Sequence, residues 1–94
     1  MRVLKVGRSP SGMMTSPDNL LLFVANRESD TVSVVNLTTW ETVVTIPVGK
    51  APFGLYYDEN GPRLWVANVQ SSDVSVVDPR SMKEIRRIKV REFP

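Results

Sequence analysis

The stretch Val48-Gly49-Lys50-Ala51-Pro52-Phe53-Gly54 is a second writing of Val6-Gly7-Arg8-Ser9-Pro10-Ser11-Gly12. The echo continues outward on both sides. Phe23-Val24-Ala25-Asn26 returns as Trp65-Val66-Ala67-Asn68, and Val32-Ser33-Val34-Val35-Asn36 returns as Val74-Ser75-Val76-Val77-Asp78. The offset is 42 each time (48 − 6, 66 − 24, 74 − 32). A fixed period of this size marks stacked supersecondary units.

Each period divides into four short apolar runs separated by turn residues. The runs are 13–15, 21–26, 31–36 and 42–48 in the first copy, and 55–57, 64–68, 73–78 and 84–90 in the second. All are strand-length and rich in Val, Ile, Leu and aromatics, and no window sustains a helical period. Pro17-Asp18-Asn19 and Asn60-Gly61-Pro62 punctuate the first turn of each copy. Asn60-Gly61 suits a tight hairpin, since both residues tolerate positive φ. Pro10 and Pro52 are expected to stiffen the connections between copies. Asn36 and Asp78 are expected to form turns, and Asn26 and Asn68 to bond nearby backbone and shape their loops.

Four antiparallel strands per unit of this length predict an all-β fold of β-propeller blades. The spaced pattern of Val-Ala-Asn, a polar loop, Val-Ser-Val-Val-(Asn/Asp) and then Thr-Ile-Pro-Val-Gly-x-x-Pro-x-Gly resembles the YVTN-repeat propeller family. Phe23–Asn26 and Trp65–Asn68 stand where that family has its naming tetrapeptide, with departures at the first and third positions. The resemblance implies a periplasmic or cell-surface setting and no single activity. Members include surface-layer and dehydrogenase-like proteins.

The phase divides the chain into an outer strand of an incomplete blade (1–6), blade 1 (7–48), blade 2 (49–90) and the start of a further blade or tail (91–94). A propeller closes with roughly 4–8 blades, and each blade buries its faces against neighbours. Two blades are therefore expected to associate. Three copies would make six blades and four would make eight, a homo-oligomeric ring. The alternative is a section of a longer, seven-bladed propeller with a quinoprotein-like redox or carbohydrate-binding role. Strand 1–6 could clasp a neighbouring copy by strand addition.

Composition narrows the chemistry. The chain has no Cys and no His, which removes thiolate nucleophiles, disulfides and the commonest general base and metal ligand. A net charge of +2 gives no electrostatic reason to invoke nucleic acid. The basic residues of the last strand (Lys83, Arg86, Arg87, Lys89, Arg91) have no interleaved aromatic platform and are read as protection of an exposed sheet edge. No run is long enough to span a bilayer as a helix, and no signal peptide is visible. No phosphate loop, nucleophile motif or metal cluster appears, so the chain reads as a binding module without cofactor or catalysis.

Strand alternation places the loop between the second and third strands on the same side as the connection between blades. Arg8, Lys50 and Arg27 are thereby expected on one side, where they could hold an anion or an acidic partner group. Trp40 lies in a turn on the other side. It could anchor a partner or stack on a sugar, or else pack over the blade edge. Trp65, within a strand, is read as core.

Overall fold

The computed structural model describes Gly7 and residues 10–90. Eight strands form in order: β1 (Pro10–Thr15), β2 (Leu21–Asn26), β3 (Thr31–Asn36), β4 (Glu41–Pro47), β5 (Pro52–Asp58), β6 (Arg63–Asn68), β7 (Asp73–Asp78) and β8 (Lys83–Lys89). They make two four-stranded antiparallel sheets, β1-β2-β3-β4 and β5-β6-β7-β8, each a simple meander. Among the described residues there is no helix, and hence none long and apolar enough to cross a membrane. Arg8 and the predicted strand 1–6 lie outside the described residues, as does the tail 91–94.

The two blades stack face to face. Phe23, Val32, Val34 and Ile46 of blade 1 pack with Leu64, Val66 and Val77 of blade 2 in one buried cluster. Leu55 and Tyr57 of β5 close its inner side, and the Tyr57 ring stacks on Phe23 at 5.9 Å between centroids. The period-two alternation of each strand explains the arrangement, because alternate side chains point to opposite faces.

Three sequence expectations need correction. The innermost strands begin three residues earlier than the apolar runs, at Pro10 and Pro52. A proline is tolerated as the first residue of an edge strand because no ladder donor is needed there. Each of these starts carries a register shift, between Pro10 and Gly12 and between Pro52 and Gly54. The outer strands end one residue early, since Val48 N–H leaves the ladder to bond Asp30 C=O and Val90 N–H bonds Ser72 C=O.

The Asn60-Gly61 hairpin also differs. No described glycine has positive φ, and Asn60 does not either. The loop has four residues between Asp58 and Arg63, and Asp58 Oδ1 accepts the Asn60 N–H at 3.0 Å. The other four-residue hairpin loops end in a left-handed residue: Asp30, Trp40, Ser72 and Met82. Here that position is Pro62, whose ring forbids positive φ, so the turn takes another form.

Candidate functional site

The joint between the blades runs through Val48, Gly49, Lys50 and Ala51. Four successive N–H groups are shared between the two sheets. Val48 N–H bonds Asp30 C=O (3.0 Å) and Ala51 N–H bonds Asp30 Oδ1 (2.9 Å), both in blade 1. Gly49 N–H reaches Ser75 Oγ (3.3 Å) and Lys50 N–H reaches Ser71 Oγ (2.9 Å), both in blade 2. In return, Gln70 N–H bonds Lys50 C=O and Val69 N–H bonds Ala51 C=O. Ala51 is held at φ 56°, a left-handed conformation that costs an alanine about 1–2 kcal/mol. The Asp30 carboxylate offsets that cost.

This joint floors an open depression of 820 Å³ lined by Arg27, Glu28, Asp30, Lys50, Ala51, Val69 and Gln70. Arg27 and Lys50, 23 positions apart, both line it and both are exposed. Glu28 shares the rim, while Asp30 Oδ1 is engaged by backbone. Sequence reasoning placed Arg27 and Lys50 on one side but did not foresee that Asp30 ties down the joint between them.

Trp40 lies apart from this depression. It sits 40% exposed at φ 63°, its N–H bonded to Asn36 C=O at 2.6 Å, and its equivalent Met82 repeats the geometry at φ 57°. Asn36 Oδ1 caps the same turn by accepting Thr38 N–H (2.7 Å) and Thr39 N–H (3.2 Å), and Asp78 Oδ1 accepts Arg80 N–H (2.9 Å). Both residues are turn formers as expected. A Trp in the left-handed region is unusual, and nothing in the sequence signals it, because glycine is absent from the turn.

Asn26 and Asn68 depart from expectation. Their amide groups donate to side chains across the sheet rather than to backbone, and both residues are fully buried. Asn68 Nδ2 donates to Asp73 Oδ1 (2.8 Å) and Ser75 Oγ (2.9 Å); Asn26 Nδ2 donates to Thr31 Oγ1 (3.2 Å) and Ser33 Oγ (2.8 Å). Gly49 lies against Asn68 so closely that an added Cβ would stand 2.5 Å from Nδ2, and Gly7 meets Asn26 in the same way. The signal was present as a Ser inside each Val-Ser-Val-Val run. An apolar strand with a polar residue at a buried position needs a partner on its neighbour.

Trp65 is also placed differently from a core residue. It lies half-buried on the outward face of blade 2, in a shallow apolar hollow with Gly54, Leu55, Tyr56, Ala67 and Val74. Its equivalent in blade 1, Phe23, is fully buried because blade 2 covers that face. Among the described residues, no group of three His, Cys, Asp or Glu side chains could hold a metal ion.

Two four-stranded meanders stacked through their faces, in register with a 42-residue repeat, make this chain a section of a β-propeller. It belongs to the YNCE-like β-propeller family, whose profile matches residues 9–92. This agrees with the YVTN-type pattern of the sequence. No match was found among curated protein sequences. Among solved structures, the chain is similar to hydrazine synthase of Kuenenia stuttgartiensis, at 31% identity and TM-score 0.87 over all of this chain and 27% of that one. It resembles apo AztD of Citrobacter koseri at 16% identity and TM-score 0.84, over 99% of this chain and 28% of that one. It resembles the dihydro-heme d1 dehydrogenase NirN at 12% identity and TM-score 0.82, over 97% and 21%. The last two likenesses are of fold alone. The chain spans about a quarter of the length of these structures.

Proposed function

We propose that this chain is a non-catalytic propeller module whose interblade depression binds an acidic group, either a small anion or a carboxylate-rich segment of a partner protein. The observation that carries this reading is the meeting of Arg27 and Lys50 at one open depression floored by a hydrogen-bonded joint. Cations at the rim of a concavity focus field on an anion. Asp30, one of the two carboxylates that line the depression, has one oxygen bonded to a backbone donor. The lack of Cys and His in the chain favours a binding role over a chemical one.

The test is a titration of the chain with inorganic phosphate and, separately, with an oligoglutamate peptide, followed by amide chemical shifts. Shifts at Arg27, Lys50 and Gln70 that weaken with salt and vanish in Arg27→Ala and Lys50→Ala support the reading. Absence of shifts with both probes, or shifts that survive both substitutions, would overturn it.

A second reading is favoured by the quarter-length match to the solved propellers. In it the chain is a section of a larger propeller protein whose redox or carbohydrate chemistry sits in other blades. Further in-frame repeats in the flanking coding sequence would support that reading.

A further inference from the structure

We infer that a second cleft between the blades, at the end opposite the Arg27 and Lys50 depression, binds a free aromatic amino acid in its zwitterionic form, with the ring inward and the charged groups at the rim. The cleft has a volume of 350 Å³, at the small end of the about 300–1,000 Å³ usual for small-molecule sites. That is room for one ring rather than a large cofactor. The stacked rings of Phe23 and Tyr57 line it, one from each blade. Pro17 of the β1–β2 turn, Pro62 of the β5–β6 turn and Pro79 of the β7–β8 turn line it as well. Proline rings are rigid and apolar, so these walls need little ordering when a flat group enters. Blade 1 supplies Pro17 and Phe23 and blade 2 the rest, so the cleft lies wholly between two described blades.

Two charges of opposite sign share the lining, Asp18 from blade 1 and Arg80 from blade 2. Among the described residues these two do not pair with each other. Asp18 takes its bonds from Ser16 Oγ and Leu20 N–H on Oδ1, which leaves Oδ2 for a ligand donor. The same bonds hold its carboxyl below the ordinary value of 3.8, so it is charged at neutral pH. Arg80 is exposed and fixed at its backbone, where its N–H bonds Asp78 Oδ1 at 2.9 Å. A guanidinium takes a carboxylate through two parallel N–H donors. An acid and a base that share a cleft without meeting are complementary to a ligand carrying both charges. An amino acid carries them on one carbon, an ammonium for Asp18 and a carboxylate for Arg80, and an aromatic one adds the ring for the apolar walls. The repeat sets these residues apart from the scaffold. Asn26 and Ser33 return as Asn68 and Ser75, as blade packing demands. Pro17 and Asp18 give way to Glu59 and Asn60, while Tyr57, Pro62, Pro79 and Arg80 stand against Thr15, Leu20, Leu37 and Thr38. What the unrepeated residues have in common is the cleft.

The test is a set of amide chemical-shift titrations at neutral pH with four probes. L-phenylalanine carries ring and both charges, phenethylamine lacks the carboxylate, 3-phenylpropionate lacks the ammonium, and L-alanine lacks the ring. The expected result is saturable shifts at Asp18, Tyr57 and Arg80 with L-phenylalanine. Each singly charged probe should bind about two- to fivefold more weakly, the worth of an exposed charge pair, and L-alanine should give no saturation. Two variants assign the charges. Arg80→Gln should weaken L-phenylalanine and 3-phenylpropionate and leave phenethylamine unchanged. Asp18→Asn keeps the Oδ1 acceptor and should do the reverse. Both positions lie on exposed turns, so each variant is expected to fold, as circular dichroism would verify. No saturable shift at the cleft with L-phenylalanine, singly charged probes that bind as tightly as L-phenylalanine, or affinities that survive both substitutions would overturn the inference. Phosphate shifts at Arg27 and Lys50 report the other end of the blades, so the two sites are read separately.

Discussion

Gly49→Ala is the sharpest probe of how the blades are held. Gly49 is buried, and its backbone needs no glycine, since φ is not positive. The demand is space alone. A Cβ there would stand 2.5 Å from Asn68 Nδ2 and 2.7 Å from its Cγ, and would also crowd Asp73 Oδ1. Asn68 is fully buried and held by two hydrogen bonds, to Asp73 at 2.8 Å and Ser75 at 2.9 Å, so it cannot retreat without breaking one. A buried polar atom left without its partner costs about 1–3 kcal/mol. Overpacking a filled site adds about 1–3 kcal/mol. The sum, about 2–6 kcal/mol, is a large part of the ~5–15 kcal/mol that holds a domain folded. The assay is urea and thermal unfolding followed by circular dichroism, with a fall in Tm of more than about 10 °C expected at ~4–8 °C per kcal/mol. Gly61→Ala is the control, because nothing lies within 4 Å of its Cβ and its φ is also not positive. The reasoning is refuted if the two substitutions shift stability equally, or if Gly49→Ala costs less than about 1 kcal/mol, the size of an ordinary substitution.

Four further outcomes are expected. Ser72→Gly should stabilise the chain by about 0.5–1 kcal/mol in the same unfolding assay, because Ser72 holds φ 53° and glycine enters that region freely. The Asp18 carboxyl should titrate below its ordinary value of 3.8, because Ser16 Oγ and then Leu20 N–H donate to its charged form. Its contribution to stability is therefore complete above the ordinary value and fades as pH falls through the folded pKa; Ser16→Ala should move the midpoint, read by NMR, back upward. Asn36→Ala should cost about 1 kcal/mol by removing the acceptor for Thr38 and Thr39 N–H at the Trp40 turn. Glu84→Gln should change unfolding by less than about 1 kcal/mol, since its paired contact with Arg87 lies on the solvent-facing outer strand and is screened by salt.

The repeat made the blades legible because each strand position is written twice. The runs 21–26, 31–36 and 73–78 coincide with β2, β3 and β7 residue for residue. The strand starts at Pro10 and Pro52 were hidden because proline reads as punctuation, and only its place at a sheet edge reveals it as a strand residue. The turn at Asn60-Gly61 was misread because the pair suggests positive φ, while Pro62 and the loop length decide otherwise. The meeting of Arg27 and Lys50 followed from alternation of strands, a topological property. The Asn68–Asp73–Ser75 network did not, because it requires knowing which side chains of β6 and β7 are opposed and buried. Trp65 reads as core from its place within a strand, and what distinguishes it from Phe23 is the presence of a covering blade, which no local pattern encodes.

The joint at residues 48–51 bears on how the chain comes apart. Its outer two N–H groups, of Val48 and Ala51, bond to the blade behind, and its inner two, of Gly49 and Lys50, bond to the blade ahead. If blade 2 melted alone, Gly49 and Lys50 would lose their acceptors. Phe23 would lose Tyr57, and the whole blade 1 face would be wetted. If blade 1 melted alone, Ala51 would be left in a left-handed backbone with no carboxylate to hold it. Neither half can be released without stripping the other, so the seam welds the two repeats into one unfolding unit. Denaturant sensitivity should accordingly scale with the surface of both blades together, and a cut within the joint would destabilise both halves.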